Sequence, residues 1–261
     1  RLPFNGRKPI MKKHLLALIT AASLLTACSS AIDERGYTYD PWEPFNRKVF
    51  AFNDTVDTYL LKPIATGYDT ITPGPVKKGI SNFFGNLGDV GSLANSLLQL
   101  KFRQSLQILA RVIDNTVYGL GGLIDVATPM GNPKINEDFG TTLAHYGVNS
   151  GPFLMLPLFG PSTVRDGFGR IVDTATTPQR LTYHNKAGYW TLTAINGVQA
   201  RAQLLPLEKV AGEQPTDKYT LVRDTWLQYR FGQITGEQRS AGAQKELDDI
   251  FEQEQGVGQT Q

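Results

Sequence analysis

The chain has few of the residues that carry most enzyme chemistry. Its 261 residues include one Cys and three His. Beyond the N-terminal segment it contains no GxSxG nucleophile elbow, no Walker phosphate loop, no GxGxxG fingerprint, no HExxH zinc motif and no CxxC pair. It also lacks clustered His, Cys or carboxylate ligands for a metal ion. These absences disfavour nucleotide hydrolysis, dinucleotide-dependent redox chemistry and metal-dependent hydrolysis.

The chain also lacks an apolar stretch long enough to cross a membrane as a helix, and its apolar run near the N-terminus is short. A plausible start at Met11 is followed by two lysines and by an apolar run at residues 15–25, too short to span a membrane as a mature helix. The residues Leu25-Thr26-Ala27-Cys28 then resemble the bacterial lipobox. We therefore predict that residues 1–27 (upstream residues plus signal peptide) are removed. Cys28 is expected to carry covalent acyl and diacylglycerol groups, with no other cofactor.

Lipidation determines the charge and the anchoring expected of the mature protein. Removal of the N-terminal segment takes away five basic residues and no acidic ones, so the 26 Lys and Arg fall to 21 against 24 Asp and Glu. The resulting net charge of about −3 gives no indication of a nucleic-acid surface. With its one Cys acylated the protein has no disulfide, and two or more acyl chains anchor it stably to a membrane. By resemblance to other lipoproteins, Ser29 in place of Asp favours the outer membrane.

The mature chain is predicted to form one all-α domain. Residues 28–39 form a polar tether, residues 40–235 the helical domain and residues 236–261 a polar, acidic tail. Strand-type alternation is scarce and there are no internal repeats, whereas apolar residues recur at helical spacing. The first expected helix starts in the Asp40–Asn53 motif and ends near Lys62-Pro63. The other expected helices are Val76–Phe84, Leu100–Tyr118, Glu137–Tyr146, Thr163–Thr174, Tyr189–Leu205 (stopped by Pro206) and Asp217–Phe231.

The clearest of these helices, Leu100–Tyr118, carries one continuous apolar stripe. Polar residues occupy the rest of its circumference, so the stripe predicts a face packed against the protein core. The stripe consists of Phe102, Leu106, Leu109, Ile113, Val117 and Leu120, and Ile108 and Val112 widen it.

A Gly- and Pro-rich apolar segment occupies the centre of the chain. Pro152–Phe159 is the most hydrophobic run outside the N-terminus, but it is too short and too often broken by proline to cross a membrane as a helix. With Gly147 and Gly151 before it, the segment is predicted to form a hairpin or a buried loop. The charged residues around it are expected mainly to cap helices and form ion pairs; they are Asp114, Asp125, Asp138, Arg165, Asp166 and Arg170.

Several blocks of sequence resemble the MlaA (VacJ) family of outer-membrane lipoproteins. The similarity extends over about Asp40 to Tyr229 and does not cover the tail from residue 236. Besides the lipobox, the blocks are DPWEPFNR at 40–47, SNFFGN at 81–86, GGLIDV at 121–126, NPK at 132–134, FGTTLAHYGV at 139–148, GP at 151–152, LP at 156–157, TL at 191–192 and RAQLL at 201–205.

The resemblance implies a ring-like single domain of short amphipathic helices around a central channel, with Gly- and Pro-rich loops. The family lies in the inner leaflet of the Gram-negative outer membrane, lipid-anchored on its periplasmic side and associated with a trimeric porin. Its implied role is not enzymatic. A member of the family removes mislocalised phospholipids from the outer leaflet through the channel and passes them to a periplasmic carrier. This removal maintains the lipid asymmetry of the outer membrane.

Within this expectation, the hairpin is the candidate gate of the channel. Glycine permits backbone conformations that other residues resist, so the segment could shift between channel states. The gate residues are Gly147, Gly151, Pro152 and Pro157. Lys186 and Arg201 are candidate contacts for the lipid headgroup, and solvated surface charge is the other interpretation of each.

Two other functions stay open. A lipoprotein scaffold would hold a porin or another envelope complex on its apolar surface without conducting lipid, and a dry, closed interior would favour it. A lipolytic serine hydrolase would use His145, which lies near Asp138 and Ser150 in the sequence. Spacing alone gives that triple no geometric support, and under this alternative His145→Ala would abolish hydrolysis.

Overall fold

The computed structural model describes residues 40–177, 186–211 and 217–235. Cys28, the tether, His184 and the acidic tail lie outside these ranges, as does the side chain of Lys186. The described chain is mainly helical, which confirms the predicted all-α class. Its elements in order are α1 (Glu43–Val56), a π-helical turn (Asp57–Leu61), α2 (Lys62–Ile71), α3 (Gly74–Leu98), α4 (Phe102–Val117), α5 (Phe139–His145), β1 (Phe153–Leu156), β2 (Gly160–Thr163), α6 (Val164–Thr176), α7 (Lys186–Ala211) and α8 (Lys218–Thr235).

The first helix does not end near Lys62-Pro63 as predicted. α1 passes through the π-helical turn directly into α2, where Pro63 lies in the first turn. Proline is tolerated there because its fixed φ suits the start of a helix. The wider winding pairs the N–H of Lys62 with the carbonyl oxygen of Asp57, five residues back. The chain is therefore helical from Glu43 to Ile71, with a change of winding just before the proline.

α3 is much longer than the helix predicted at Val76–Phe84. It spans 25 residues and contains several glycines, each of which lowers helix propensity by about 1 kcal/mol relative to alanine. A three-residue link then leads into α4, which packs against α3 along its length. Tertiary packing of this kind supplies most of the stability of helices in proteins, and local propensity therefore underestimated α3.

The apolar stripe of α4 points outward, so the prediction that it packs into the core is wrong. Its exposed members are Phe102, Leu106, Leu109, Ile113, Val117 and Leu120. The buried face of the same helix carries Ile108 together with Ser105, Arg111 and Asn115. Helical periodicity identifies an apolar face but not the medium that the face meets. An outward apolar face is stable where the surroundings are themselves apolar, as at a membrane surface.

α7 also continues past its predicted stop, because Pro206 lies inside the helix. A proline in a helix interior costs about 3 kcal/mol through a lost hydrogen bond and a clash with the preceding turn. Ala202 and Leu205, just before it, are buried against Ala65 of α2, and Tyr68 packs beside them. This contact between α2 and α7 holds the helix together across the proline.

Polar and charged side chains predominate in the interior of the described ranges. Apolar burial concentrates in two small clusters, one around Phe153 and Tyr219 and the other around Ala65. Elsewhere helices are joined by buried ion pairs, such as Arg111 Nε to Asp89 Oδ2 at 3.0 Å. Buried charges are stable only when paired and hydrogen-bonded. Within the described part of the chain, no helix combines the length and the hydropathy that spanning a membrane requires.

Candidate functional site

The predicted hairpin is present, but its apex lies further along the chain than the two predicted glycines. β1 and β2 pair antiparallel, with Phe153 opposite Thr163. The chain reverses at residues 157–159. Leu158 and Phe159 project from this turn with 63% and 68% of their surface exposed. The hairpin thus has a buried base and an exposed apolar apex.

A side chain of α1 completes the hydrogen bonding at the base of β1. Asn46 Nδ2 donates to the carbonyl oxygen of Phe153 (3.1 Å), and Asn46 Oδ1 accepts the N–H of Met155 (2.9 Å). Asn46 is fully buried, so its carboxamide supplies the donor and the acceptor that a neighbouring strand would supply. Pro161, opposite Met155 in β2, has no N–H of its own, and the N–H of Met155 points to α1.

Asn53 repeats the same pattern at the apex end of β1. Its Nδ2 donates to the carbonyl oxygen of Leu156 (2.9 Å), and its Oδ1 accepts the N–H of Leu158 (2.8 Å). Seven helical residues advance about 10.5 Å, and three strand residues advance about 10 Å. The spacing of Asn46 and Asn53 on α1 therefore matches the spacing of the two carbonyl groups. The side chains of Asn46 and Asn53 on α1 thus make the hydrogen bonds to the hairpin backbone that a third strand would make.

The base of the hairpin is anchored on α8. Phe153 and Met155 are fully buried, and the rings of Phe153 and Tyr219 meet edge to face at 6.2 Å. The Tyr219 hydroxyl donates to Asp40, which also accepts a hydrogen bond from Asn46 (2.9 Å). Burial, together with the Asp40 carboxylate, raises the pKa of Tyr219 above its usual range. The hydroxyl consequently remains a donor, and the base of β1 is fixed from two sides.

Gly147 ends helix α5 in a Schellman arrangement. Its N–H donates to the carbonyl oxygen of Ala144 (2.9 Å), and the N–H of Val148 donates to that of Leu143 (3.0 Å). The φ of Gly147 is 81°, and a β-carbon placed there would meet no atom within 4 Å. Glycine is therefore favoured at this position by backbone conformation and not by lack of space.

The other three predicted gate residues lie at the two ends of β1. Gly151, with φ 68°, and Pro152 are buried just before the strand, and Pro157 is exposed just after it. The structure thus brings all four together in one hairpin and its leading arm, residues 147–152, which we call the glycine arm. Their role as a gate stays a prediction.

A buried charge cluster adjoins the glycine arm. Arg230 of α8 makes two hydrogen bonds of 2.6 Å to Asp138 and one of 2.9 Å to Asp166. Arg165 donates to Asp166 Oδ1 (3.0 Å) and to the carbonyl oxygen of Val148 (3.2 Å). Burial alone would raise the pKa of Asp166, but the two guanidinium groups outweigh it and hold that pKa below its usual value. Two arginines and two aspartates balance in charge here.

A cavity of about 230 Å³ lies between the glycine arm, the start of α6 and the end of α8. Its lining is amphipathic, because Arg165, Asp166 and Arg230 share it with Val148 and Leu227. In the described ranges, no cluster of His, Cys, Asp or Glu is placed to hold a metal ion.

Of the two predicted headgroup contacts, the structure describes one side chain. Arg201 of α7 binds Asp57 through Nε (2.6 Å) and Nη2 (2.8 Å), and Nη2 also contacts Glu208 (2.6 Å). The hydrogen bond with Asp57 is the main reason that the pKa of Arg201 is raised. Its charge is thus already paired with two carboxylates beside the π-helical turn. Lys186 is the first residue of α7, and its side chain lies outside the described residues.

Three residues of this region were missed by the sequence analysis or understood differently. Asn46 and Asn53 lie in the opening motif, and the signal that could have identified them is their spacing of seven residues on one helix. Arg170 of α6 was expected to cap a helix or form an ion pair. Instead its Nη1 donates to the carbonyl oxygen of Phe159 at the hairpin apex (2.7 Å). The ion pairs expected of Arg165 and Asp138 are present.

The residues of the alternative hydrolase triple are not joined to one another. Asp138 caps α5 and is bound by Arg230, and Ser150 Oγ donates to the carbonyl oxygen of Gly151 (3.3 Å). The His145 ring packs edge to face against Tyr146. No hydrogen bond connects His145 to Asp138 or to Ser150 in this part of the structure.

These features define a class of protein: a helical domain with a largely polar interior, outward apolar faces and a hairpin held between helices. The family described as MlaA lipoprotein matches residues 38–233. The chain is 39% identical over 226 residues to the intermembrane phospholipid transport system lipoprotein MlaA of Shigella flexneri, covering 84% of this chain and 87% of that protein. The protein of the same description from Escherichia coli strain K12 is 39% identical over 225 residues, with the same coverage. The chain therefore belongs to the MlaA lipoprotein family.

A solved structure supports the same assignment. It concerns the structural basis for maintenance of bacterial outer membrane lipid asymmetry, and it superposes with a TM-score of 0.62 at 38% identity. The match covers 73% of this chain and 96% of the other. A relative from Haemophilus influenzae, also described as the lipoprotein MlaA of the intermembrane phospholipid transport system, is 31% identical over 223 residues. The resemblance on which the sequence prediction was based is confirmed.

Proposed function

We propose that this protein is an outer-membrane lipoprotein that removes mislocalised phospholipids from the outer leaflet and thereby maintains lipid asymmetry. The lipid moves through an amphipathic channel in a ring-like domain and passes to a periplasmic carrier. The observation that carries the proposal is the inverted polarity of helices such as α4, with Leu106 66% exposed and Arg111 buried. The relatives from Shigella flexneri and Escherichia coli, described as lipoproteins of intermembrane phospholipid transport, support the same function.

The physical requirement of this function is a polar path through an apolar layer. Moving a phospholipid headgroup into hydrocarbon costs several kcal/mol or more, because its polar and charged atoms lose water. Buried polar groups inside the domain offer hydrogen-bond partners to the headgroup, and apolar outer faces keep the domain in the membrane. Such a path lowers the barrier without breaking any bond, so no catalytic group is needed.

The partners proposed for the chain are those that the family resemblance implies. Acyl and diacylglycerol groups on Cys28 anchor the chain at the periplasmic side of the outer membrane. A trimeric porin holds the domain in position, and a periplasmic phospholipid carrier receives the lipid. The outward stripe of α4 is a surface on which either lipid or a porin could pack, because it is apolar over nearly the whole helix.

The hairpin is the element best placed to gate the path. Its glycine arm has two positive-φ glycines, and its apex meets the surroundings with Leu158 and Phe159. Movement of the apex would have to break the two hydrogen bonds of Asn53 and the bond from Arg170 to the carbonyl oxygen of Phe159, while the two hydrogen bonds of Asn46 at the base stay in place. We therefore place one moving part of the gate at the apex, and we propose the glycine arm, on the other side of the fixed base, as a second mobile segment.

The experiment that tests the function measures outer-leaflet phospholipid in a deletion strain. The strain is complemented with the wild-type chain and with Cys28→Ala. Accumulation on deletion, reversed by the wild type alone, supports anchored lipid removal. No accumulation on deletion would instead favour a scaffold that holds envelope proteins without conducting lipid. Reversal by an unlipidated chain would remove anchoring from the proposal.

A further inference from the structure

We propose that Arg170 binds the phosphate group of a phospholipid at the apex of the hairpin. This inference depends on the proposed function, since it names a contact on the lipid's path. It rests on three features of the structure. Arg170 hydrogen-bonds to a neutral carbonyl oxygen, exposed apolar side chains lie nearby, and the neighbouring Arg165 and Arg230 are already held in ion pairs.

Among the described residues the guanidinium of Arg170 makes no ion pair, although the carboxylates of Asp138, Asp166 and Asp173 act on its charge at longer range. It is partly buried, and the hydrogen bond that it makes goes to a neutral acceptor, Phe159 O. It is the one partly or fully buried arginine in the described ranges that has no carboxylate within ion-pair distance. The others have such partners: Arg47, Arg111, Arg165, Arg201, Arg223 and Arg230. Burial accordingly lowers the pKa of Arg170. An anion at this position would relieve the cost.

A guanidinium in this state is suited to phosphate. Arginine carries five N–H donors in a planar fork, and at Arg170 one nitrogen is directed to Phe159 O. The remaining donors match the oxygen atoms of a phosphate, with which arginine forms paired, charge-assisted hydrogen bonds. The bond to Phe159 O lies at the exposed end of the hairpin, so the fork is reachable from outside.

The surface around Arg170 fits the acyl chains of the same ligand. Ile171, the next residue of α6, is 68% exposed, whereas Phe168, two residues before Arg170, lies on the far side of the helix. Leu158 and Phe159 at the apex are exposed to a similar degree. A single cation flanked by apolar side chains on two elements is complementary to an amphiphile with an anionic head. A freely diffusing polar anion would make no use of the apolar side chains.

The neighbouring arginines do not provide the same opportunity. Arg230 is held by Asp138 and Asp166, and Arg165 by Asp166. A phosphate would have to displace the buried carboxylate of Asp166 to reach Arg165, and either Asp166 or the half-exposed Asp138 to reach Arg230. Removing one partner of a buried ion pair is strongly destabilising. Arg170 can bind an anion without such an exchange.

The test compares two lipids that differ only in the phosphate-bearing headgroup. The purified lipoprotein is incubated in detergent with phosphatidylglycerol or with diacylglycerol of the same acyl chains, and bound lipid is measured by native mass spectrometry. We expect the wild type to prefer phosphatidylglycerol. Arg170→Gln should weaken phosphatidylglycerol binding by about tenfold and leave diacylglycerol binding unchanged. Gln removes the charge and, being shorter than Arg, also loses the contact with Phe159 O, so unchanged diacylglycerol binding is the readout that the hairpin is intact.

Two further variants separate charge, geometry and fold. Arg170→Lys keeps the charge but loses the fork, and we expect it to bind phosphatidylglycerol with intermediate affinity. Arg103→Gln removes an equal charge from an exposed position on α4 and should bind both lipids as the wild type does. An equal loss of both lipids in Arg170→Gln would indicate a structural role and overturn the proposal, as would an unchanged preference.

A last arm uses inorganic phosphate as the probe. If phosphate competes with phosphatidylglycerol only at concentrations far above those of the lipid, the ligand is the lipid headgroup. If phosphate alone binds with the same dependence on Arg170 and the acyl chains add nothing, the lipid part of the proposal fails. A different result would contradict the proposed function itself, namely that the wild type retains neither phosphatidylglycerol nor diacylglycerol. Retention by the wild type together with equal retention by Arg170→Gln rejects this inference alone.

Discussion

Asn46 and Asn53 lie seven residues apart on α1, and each both donates to and accepts from the backbone of the hairpin. The two differ in their surroundings. Asn46 is fully buried and satisfies groups that have no access to water, whereas Asn53 serves the exposed turn at Leu158. The hairpin is therefore fixed firmly at its base and lightly at its apex.

This difference predicts unequal effects of removing the two carboxamides. Asn46→Ala leaves the carbonyl of Phe153 and the N–H of Met155 buried without partners, at about 1–3 kcal/mol each. We expect it to lower the free energy of unfolding by about 2–5 kcal/mol in thermal or denaturant unfolding. Asn53→Ala should lower it by only about 0.5–1.5 kcal/mol, because water can replace the lost bonds.

Hydrogen exchange locates the same effect along the chain. Asn53→Ala should speed exchange at the amide of Leu158 and leave that of Met155 protected. Asp54→Ala, at an exposed position of the same helix, is the matched control and should change neither amide. Equal exchange at both amides in Asn53→Ala would show that the hairpin opens as one unit and that its apex has no independent motion.

The Schellman arrangement at Gly147 predicts a graded series of substitutions. Gly147→Ala should destabilise by about 1 kcal/mol, because alanine resists positive φ although it has room. Gly147→Asn should cost less, since asparagine tolerates the left-handed region. Gly147→Pro should cost most, because it also removes the N–H bound to Ala144. Thermal unfolding of the three variants measures the order.

The same position tests gating when stability is controlled. We expect Gly147→Pro and Gly151→Pro to impair phospholipid removal while the protein still reaches the outer membrane. Gly147→Asn serves as the control, because asparagine tolerates the left-handed conformation and keeps the N–H that proline removes. Normal outer-leaflet phospholipid in both proline variants, at wild-type protein levels, would count against a gate in the glycine arm.

Asp125 predicts how stability depends on pH. Burial opposes its ionisation, but hydrogen bonds from Thr128 and Arg111 hold its pKa at about 2, below the ordinary 3.8. A depressed pKa in the folded state stabilises the protein above about pH 4, and the contribution disappears as the pH falls through 2. We expect Asp125→Asn to destabilise by about 1–2 kcal/mol at neutral pH and to match the wild type near pH 2.

Asp114 provides the control for that experiment. It lies on α4 and shows no ion pair within the described ranges, so Asp114→Asn removes the same charge without breaking such a contact. Its effect on unfolding should be small at every pH. A constant difference between Asp125→Asn and the wild type from pH 7 to pH 2 would contradict the assigned hydrogen bonds.

Sequence alone identified the helices better than their ends or their orientation. The helix α4 and the short helix predicted at Glu137–Tyr146, found at Phe139–His145, lie close to where local patterns placed them. Pro63 and Pro206 were interpreted as stops, yet a π-helical turn accommodates the first and contact with Ala65 holds the helix around the second. Both compensations arise from the winding or from distant residues, so a window of local sequence does not contain them.

The site was predicted as a segment but not as a set of contacts. Glycines and prolines marked the hairpin, because their backbone preferences are local. Its partners Asn46 and Asn53 lie more than 100 residues away in the sequence. Arg201 was chosen for its charge, and the carboxylate of Asp57 that pairs with it lies 144 residues distant. Charge can be counted in a sequence, but whether it is already paired depends on the fold.

The orientation of α4 supplies the last prediction, through two residues that lie two positions apart in the sequence and on opposite faces of the helix. Leu106 is 66% exposed and Ile108 is 1% exposed. In a Cys28→Ala background, where no acyl chain holds the protein, Leu106→Asn should weaken binding to protein-free lipid vesicles by about tenfold, since burying one leucine side chain contributes about 1.5–3 kcal/mol. Ile108→Asn should instead lower the stability of the domain by about 3 kcal/mol, because it places an unpaired polar group in the interior. Vesicle flotation and thermal unfolding separate the two effects.

The result discriminates between the two surfaces that α4 could meet. If lipid covers the stripe, Leu106→Asn loses vesicle binding and keeps the wild-type unfolding temperature. If a porin covers it, vesicle binding is unchanged and co-purification of the porin falls instead, as the scaffold alternative requires. If Leu106→Asn unfolds the domain as readily as Ile108→Asn does, the stripe faces the interior after all. The outward orientation, on which the amphipathic path depends, would then be wrong.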